Sequence, residues 1–210
     1  MTPVLDAATR GLVRVALALP HAPEVQLADL MRRAMEDGAP AIWIEELLLS
    51  SVLYVGFART LVAAAVFRRL VPEPAPGGEE SNYDQWREWQ ARGEATCRAV
   101  YGKHYDQLRH NVRALHPALD LWMIVDGYGK TLSRPGLDLR HREFCSVGML
   151  MPQRVPRQLV AHLRGALNAG ASAAELDEVL AIAASMDLEA EVLEIARNLW
   201  QELRDTLLHD

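Results

Sequence analysis

The sequence predicts an all-α fold, and three observations carry the prediction. Apolar residues recur at helical spacing, no stretch alternates β-branched and polar residues between turn signals, and glycine and proline fall where helical stretches should end. In the first helical stretch Leu12, Val15, Ala16 and Leu19 share one face. Leu27, Leu30, Met31 and Met35 do so in the second, and Ile44, Leu47, Leu48 and Val52 in the third. Asp37-Gly38-Ala39-Pro40 closes the second stretch, because a glycine past the last turn accepts a left-handed backbone and the proline cannot continue the helix. Ala169-Gly170 repeats that signal late in the chain. Ser172 and Glu175 then have capping-box spacing, and Glu175, Asp177 and Glu178 read as a solvated helical face.

The segment VPEPAPGGEES, Val71 to Ser81, has three prolines, two glycines and three glutamates and predicts a solvated linker over 71–82. It divides a unit at 1–70 from one at 83–210. Helical patterning resumes between Tyr83 and Tyr105, with Trp86, Trp89 and Tyr101, and Gly127-Tyr128-Gly129 reads as a turn.

Sliding the sequence on itself by 132 positions aligns about Arg10 to Ala64 with the later half without a gap. Arg10 meets Arg142, Pro20 meets Pro152, Gln26-Leu27 meets Gln158-Leu159, and Arg32 meets Arg164. Gly38-Ala39 meets Gly170-Ala171, and Glu46 and Leu48 meet Glu178 and Leu180. The register implies an internal duplication packed as a paired bundle.

Composition narrows the function. Half of the 210 residues are hydrophobic and 24% are charged, which excludes disordered and low-complexity classes. A formal charge of −6 repels phosphate backbones, so nucleic acid is not an expected partner. Asp6, Arg10 and Arg14 break up the start as a targeting signal. The apolar stretch from Ala41 to Phe67 contains Glu45, Glu46 and Arg59, and its longest uncharged run, Leu47 to Ala58, is shorter than the roughly 20 residues that span a bilayer. No membrane partner is expected. Cys97 and Cys145 have neither disulfide-framework nor metal spacing, and a reducing cytoplasm fits them. His104, His110 and His116, spaced by six, do not form a helical metal site, so no metal is expected.

The segments RPGLDLRHRE (Arg134 to Glu143) and QLVAHLRGALNAGASAAELDEVL (Gln158 to Leu180) resemble the carboxymuconolactone decarboxylase family, whose helical fold is shared with AhpD-like proteins. The likeness runs back through Tyr128-Gly129 and Trp122 towards Tyr101, and more weakly covers GAPAIWIEELLLSSVLYVGFARTL in the first half. It implies that Glu143 and His162 face a shared pocket. The peroxide-reducing branch of the fold carries a CxxC where this chain has Val155 and Gln158, so its dithiol cycle is not expected, and Cys145 reads as a small buried apolar residue.

The resemblance then implies a cofactor-free lyase acting on a small carboxylated lactone or related acid. In this reaction the conjugated carbonyl takes up the electrons of the departing carboxylate and the protein supplies a proton. His162 suits the proton transfer and Glu143 would orient it. Arg142 and Arg164 are candidate anion clamps, although Arg164 lies two positions after His162 and points about 160–200° away on a helix. Trp122 and Tyr128 are candidate pocket walls. At the positions paired with Glu143 and His162 the first half has Gly11 and Leu30, so only the later half carries the candidate site. Family members assemble through apolar helical faces, and a double repeat is expected as a homotrimer. A non-catalytic oligomeric or ligand-binding module is the alternative, and a thiol peroxidase using Cys145 ranks last.

Overall fold

A computed structural model describes residues 4–75, 77 and 82–207, so much of the expected linker (76 and 78–81) lies outside the described residues. The fold is all-α, with no strand among the described residues. The chain begins with α1 (Ala7–Ala18), α2 (Glu24–Glu36) and a long α3 (Ala41–Leu70). After the linker come α4 (Trp86–Tyr101), α5 (Tyr105–Leu115) and the short α6 (Pro117–Trp122). A π-helix over Met123–Leu132 leads to α7 (Leu139–Leu150), α8 (Pro156–Asn168), α9 (Ala173–Ala184) and α10 (Ala190–Leu207).

Helix ends follow the expected chemistry. The Asp6 carboxylate accepts the Thr9 amide at the start of α1, and Asp138 accepts the His141 amide at the start of α7. Gly38 and Gly170, at φ 99° and 94°, end α2 and α8 with the left-handed residue that a Cβ would disfavour. Ala39 then donates back to the Ala34 carbonyl and Ala171 to that of Ala166, both at 2.9 Å. The Ser172–Glu175 capping box is present.

Helix α3 is broken at Gly56, whose φ of 75° and ψ of 167° leave the helical region. Ser51 and Thr60 hydroxyls meet at 2.8 Å across the break. Arg59 caps the end of α1 by donating to the Leu19 and Ala22 carbonyls. By length and hydropathy alone α3 is long and apolar enough to cross a membrane, yet the break leaves two halves, each shorter than the roughly 20 residues required.

Both halves of the chain contribute to the two larger cores. Leu5, Val13 and Leu17 pack with Phe144, Leu163, Val179 and Trp200, while Cys145 and Met149 pack with Leu12, Leu27, Ile44 and Phe67. A third core joins Cys97, Val100, Tyr105, Ile124, Tyr128 and Leu132 beside α8.

Two expectations need correction. Gly127-Tyr128-Gly129 lies inside the π-helix rather than in a turn. The glycines on this face serve close backbone approach: a Cβ on Gly129 would sit 1.8 Å from the Trp89 carbonyl oxygen, and one on Gly93 would sit 2.0 Å from that of Ile124. The acidic run on α9 is also no idle solvated face. Glu175 pairs with Arg140, Asp177 accepts from Trp200 Nε1 and Arg204, and Glu178 accepts the Val4 and Leu5 amides.

Candidate active site

Helices α7 and α8 bring Glu143 and His162 together. His162 Nδ1 donates to Glu143 Oε2 at 2.8 Å. Glu143 is fully buried, and its other oxygen, Oε1, has no hydrogen-bond partner. Room for the carboxylate comes from Gly165 on α8, where a Cβ would stand 2.6 Å from Glu143 Oε2 and 2.7 Å from Val100 Cγ1. With Nδ1 engaged, His162 has Nε2 left for chemistry, and no partner for that nitrogen is found among the described residues. This division of labour between the two ring nitrogens fixes the tautomer.

His162 forms part of the wall of a cleft of about 480 Å³, within the roughly 300–1,000 Å³ typical of small-molecule sites. Its other walls come from α3 (Leu53 and Tyr54), α4 (Tyr101), α6 (Leu119 and Trp122) and the π-helix (Met123, Asp126, Gly127, Tyr128 and Leu132). The Tyr54 ring meets the His162 ring edge-on, with centroids 5.5 Å apart, and Ser146 donates to the Tyr54 hydroxyl at 2.7 Å.

Burial dominates the ionisation of the cleft hydroxyls. It pushes Tyr101 up to about 12, a rise that a hydrogen bond from Tyr128 partly offsets, and it also raises Tyr54 and Tyr128. The negative charge of Glu143 adds to each rise. All three hydroxyls therefore stay protonated at neutral pH. Helix α6, which supplies Leu119 and Trp122 to the wall, is tied to α5: Arg109 and Arg113 of α5 both donate to the buried Asp120 of α6, and hydrogen bonding from Arg109 holds that carboxyl below its ordinary value.

The other residues singled out in the sequence divide. Trp122, half exposed, and Tyr128, buried, line the cleft beside His162. Arg142 does not reach it. Its guanidinium, 1% exposed, donates to Glu46 Oε2 at 2.9 Å, to the Leu137 carbonyl at 3.0 Å and to the Arg134 carbonyl at 2.9 Å. Arg134 shares Glu46, so Arg142 is spent on joining the two halves and is no anion clamp. Arg164 also lies outside the cleft lining, as its two-residue offset from His162 on α8 dictates.

Cys145 is buried in the core on α7, and burial pushes its thiol up to about 12, as it does that of Cys97. Neither sulfur lines the cleft. His116 caps α6 by accepting the Ala118 amide. No group of three or more His, Cys, Asp or Glu side chains suited to a metal occurs among the described residues.

Sequence reasoning missed Tyr54, Tyr101 and Asp126 as cleft residues. Tyr54 and Tyr101 were legible only as polar-tipped aromatics in otherwise apolar helical faces, and the facing of Asp126 depends on the π-helical register.

Residues 116–199 match the model of the carboxymuconolactone decarboxylase family. The chain is also 30% identical over 152 residues to a protein named Peroxisomal protein 2 from Schizosaccharomyces pombe, covering 70% of each chain. The matched region spans α6, the π-helix, α7, α8, α9 and the first part of α10, and so includes both Glu143 and His162. On this evidence the chain belongs to the carboxymuconolactone decarboxylase family.

Proposed function

We propose that His162 and Glu143 form a general acid–base centre that moves a proton on a small molecule held in the cleft. The observation that carries this reading is the 2.8 Å bond from His162 Nδ1 to a fully buried carboxylate, which leaves Nε2 for the ligand. In the proposed step Nε2 removes a proton from a carbon beside a carbonyl, and the electron pair moves onto the carbonyl oxygen. Glu143 stabilises the imidazolium, a tyrosine hydroxyl donates a hydrogen bond to the enolate oxygen, and the Nε2 proton returns to carbon. A lactone decarboxylation of the kind named by the family uses the second half of this sequence, in which the carbanion left by carbon dioxide is reprotonated. The buried, high-pKa thiols count against peroxide chemistry.

Deuterium uptake from heavy water into small conjugated lactones and ketones, followed by NMR, tests the reading. Replacing His162 by Gln is expected to slow uptake at least about 100-fold with the helical content unchanged, and Glu143→Gln is expected to slow it less. Uptake that survives His162→Gln at the wild-type rate contradicts the assignment.

We also propose self-association and a duplicated ancestry. Leu49, Leu53, Phe57 and Leu61 leave an exposed apolar line along α3 that runs into the cleft through Leu53. Light scattering on the eluted chain is expected to give three copies, and a monomer contradicts this. Duplication is supported by the 132-residue offset, which separates α1 from α7, α2 from α8, and the starts of α3 and α9. It is supported too by Thr9 bonding His141, its own counterpart, at 3.0 Å. The two buried, unpaired cysteines fit a reducing compartment such as the cytoplasm.

A further inference from the structure

The cleft should disclose its ligand class through its charges. Two of the side chains that line it can carry a formal charge at neutral pH, His162 and Asp126, and neither lysine nor arginine is among the lining residues. Asp126 has no hydrogen bond or ion pair to its carboxylate among the described residues, so nothing there neutralises it. Glu143 adds a second carboxylate directly behind His162, with one oxygen unpartnered. The arginines expected to receive an anion are elsewhere: Arg142 is paired with Glu46, and Arg164 is outside the wall.

The remaining walls are hydrocarbon and aromatic, from Leu53, Leu119, Trp122, Met123 and Leu132, together with the tyrosines Tyr54, Tyr101 and Tyr128. A carboxylate entering this cleft would give up its hydration, find no lysine or arginine, and meet an imidazole already paired with Glu143 and like charge at Asp126. A flat apolar molecule with one carbonyl or hydroxyl would lose little water, stack on Trp122, and place its oxygen among the tyrosine hydroxyls beside Nε2.

We propose that the cleft accepts uncharged, largely apolar molecules bearing a single oxygen function, and that Asp126 is a specificity residue that turns carboxylates away. This rests on the reading of His162 and Glu143 as a proton-transfer centre and names its substrate class. It replaces the carboxylated lactone suggested by the family resemblance with a neutral carbonyl compound.

The test uses two probes of one shape, 2-naphthol and 2-naphthoate, titrated calorimetrically into the full chain at neutral pH. Naphthol is expected to bind at least about tenfold more tightly. Asp126→Asn is expected to improve naphthoate several-fold while leaving naphthol within about twofold, and Trp122→Ala to weaken naphthol. Naphthoate binding as tightly as naphthol, an unchanged ratio in Asp126→Asn, or binding of neither probe overturns the proposal. Its failure is distinguishable from failure of the proton-transfer reading. Naphthol preference without His162-dependent deuterium uptake removes the chemistry and leaves the selectivity, whereas His162-dependent uptake with naphthoate preferred does the reverse.

Discussion

At the scale of single residues the site depends on an absence of bulk. Glu143 reaches His162 because residue 165, one turn from His162 on α8, is glycine, and a methyl group there would overlap Glu143 Oε2. Gly165→Ala is therefore expected to displace the carboxylate, to cost about 1–3 kcal/mol of stability, and to slow deuterium uptake by about 100-fold through misplacement of the pair. Urea unfolding and the NMR assay check the two effects separately, and uptake at the wild-type rate would show that the carboxylate does not need this space. Glu143 and His162 were legible in the sequence because a family resemblance pointed to them. Their buried contact was not, since nothing in the residues between them states how α7 crosses α8. The supposed role of Arg142 failed for a related reason. Its neighbour in sequence is Glu143, yet adjacent helical positions diverge by about 100°, and the side chain leaves the cleft for Glu46.

Among elements, the pairing of the two halves has a reciprocal form. Arg142 of α7 bonds Glu46 of α3 and the Leu137 carbonyl, while Arg10 of α1 lies 3.8 Å from Glu178 of α9 and donates to the Leu5 carbonyl. Every residue in the first set is 132 positions from its counterpart in the second. A residue also meets its own counterpart at Thr9 with His141, and the position of a Cβ on Gly148 lies 3.3 Å from Ala16 Cβ. These reciprocal contacts support the duplication proposed above.

The two ion pairs differ in burial, and that decides their energetics. The Arg142–Glu46 pair is almost wholly inaccessible, so Glu46→Gln would leave the buried Arg142 without this counter-charge at a cost of about 3–5 kcal/mol. The Arg10–Glu178 pair is partly exposed, and its ionic part is worth at most about 1 kcal/mol. Chemical denaturation of Glu46→Gln and Glu178→Gln should therefore rank the first as far more damaging, and equal losses would contradict the assignment. Helix periods, the Ser172–Glu175 capping box and the glycine ends of α2 and α8 were readable from sequence, because each is set by local backbone chemistry. The π-helix was not, because its close packing on α4, Gly129 against the Trp89 carbonyl and Gly93 of α4 against that of Ile124, is a contact between segments distant in sequence.

In the molecule as a whole, the cleft draws on both halves of the chain. The later half provides the acid and the imidazole, and the earlier half closes one wall with Leu53 and Tyr54 near the break in α3. Where the later half has Glu143, the earlier half has Gly11, packed so tightly on α2 that a Cβ would lie 2.8 Å from the Ala34 Cα. The earlier half is thus closed at the position where the later half carries the Glu143 carboxylate. The central claim is that the His162 imidazole itself carries the proton. Its most direct test is deuterium uptake by the His162→Gly chain, with and without free imidazole. The account predicts that uptake is lost in the variant and partly restored by added imidazole. Uptake at the wild-type rate in the variant without imidazole would contradict it.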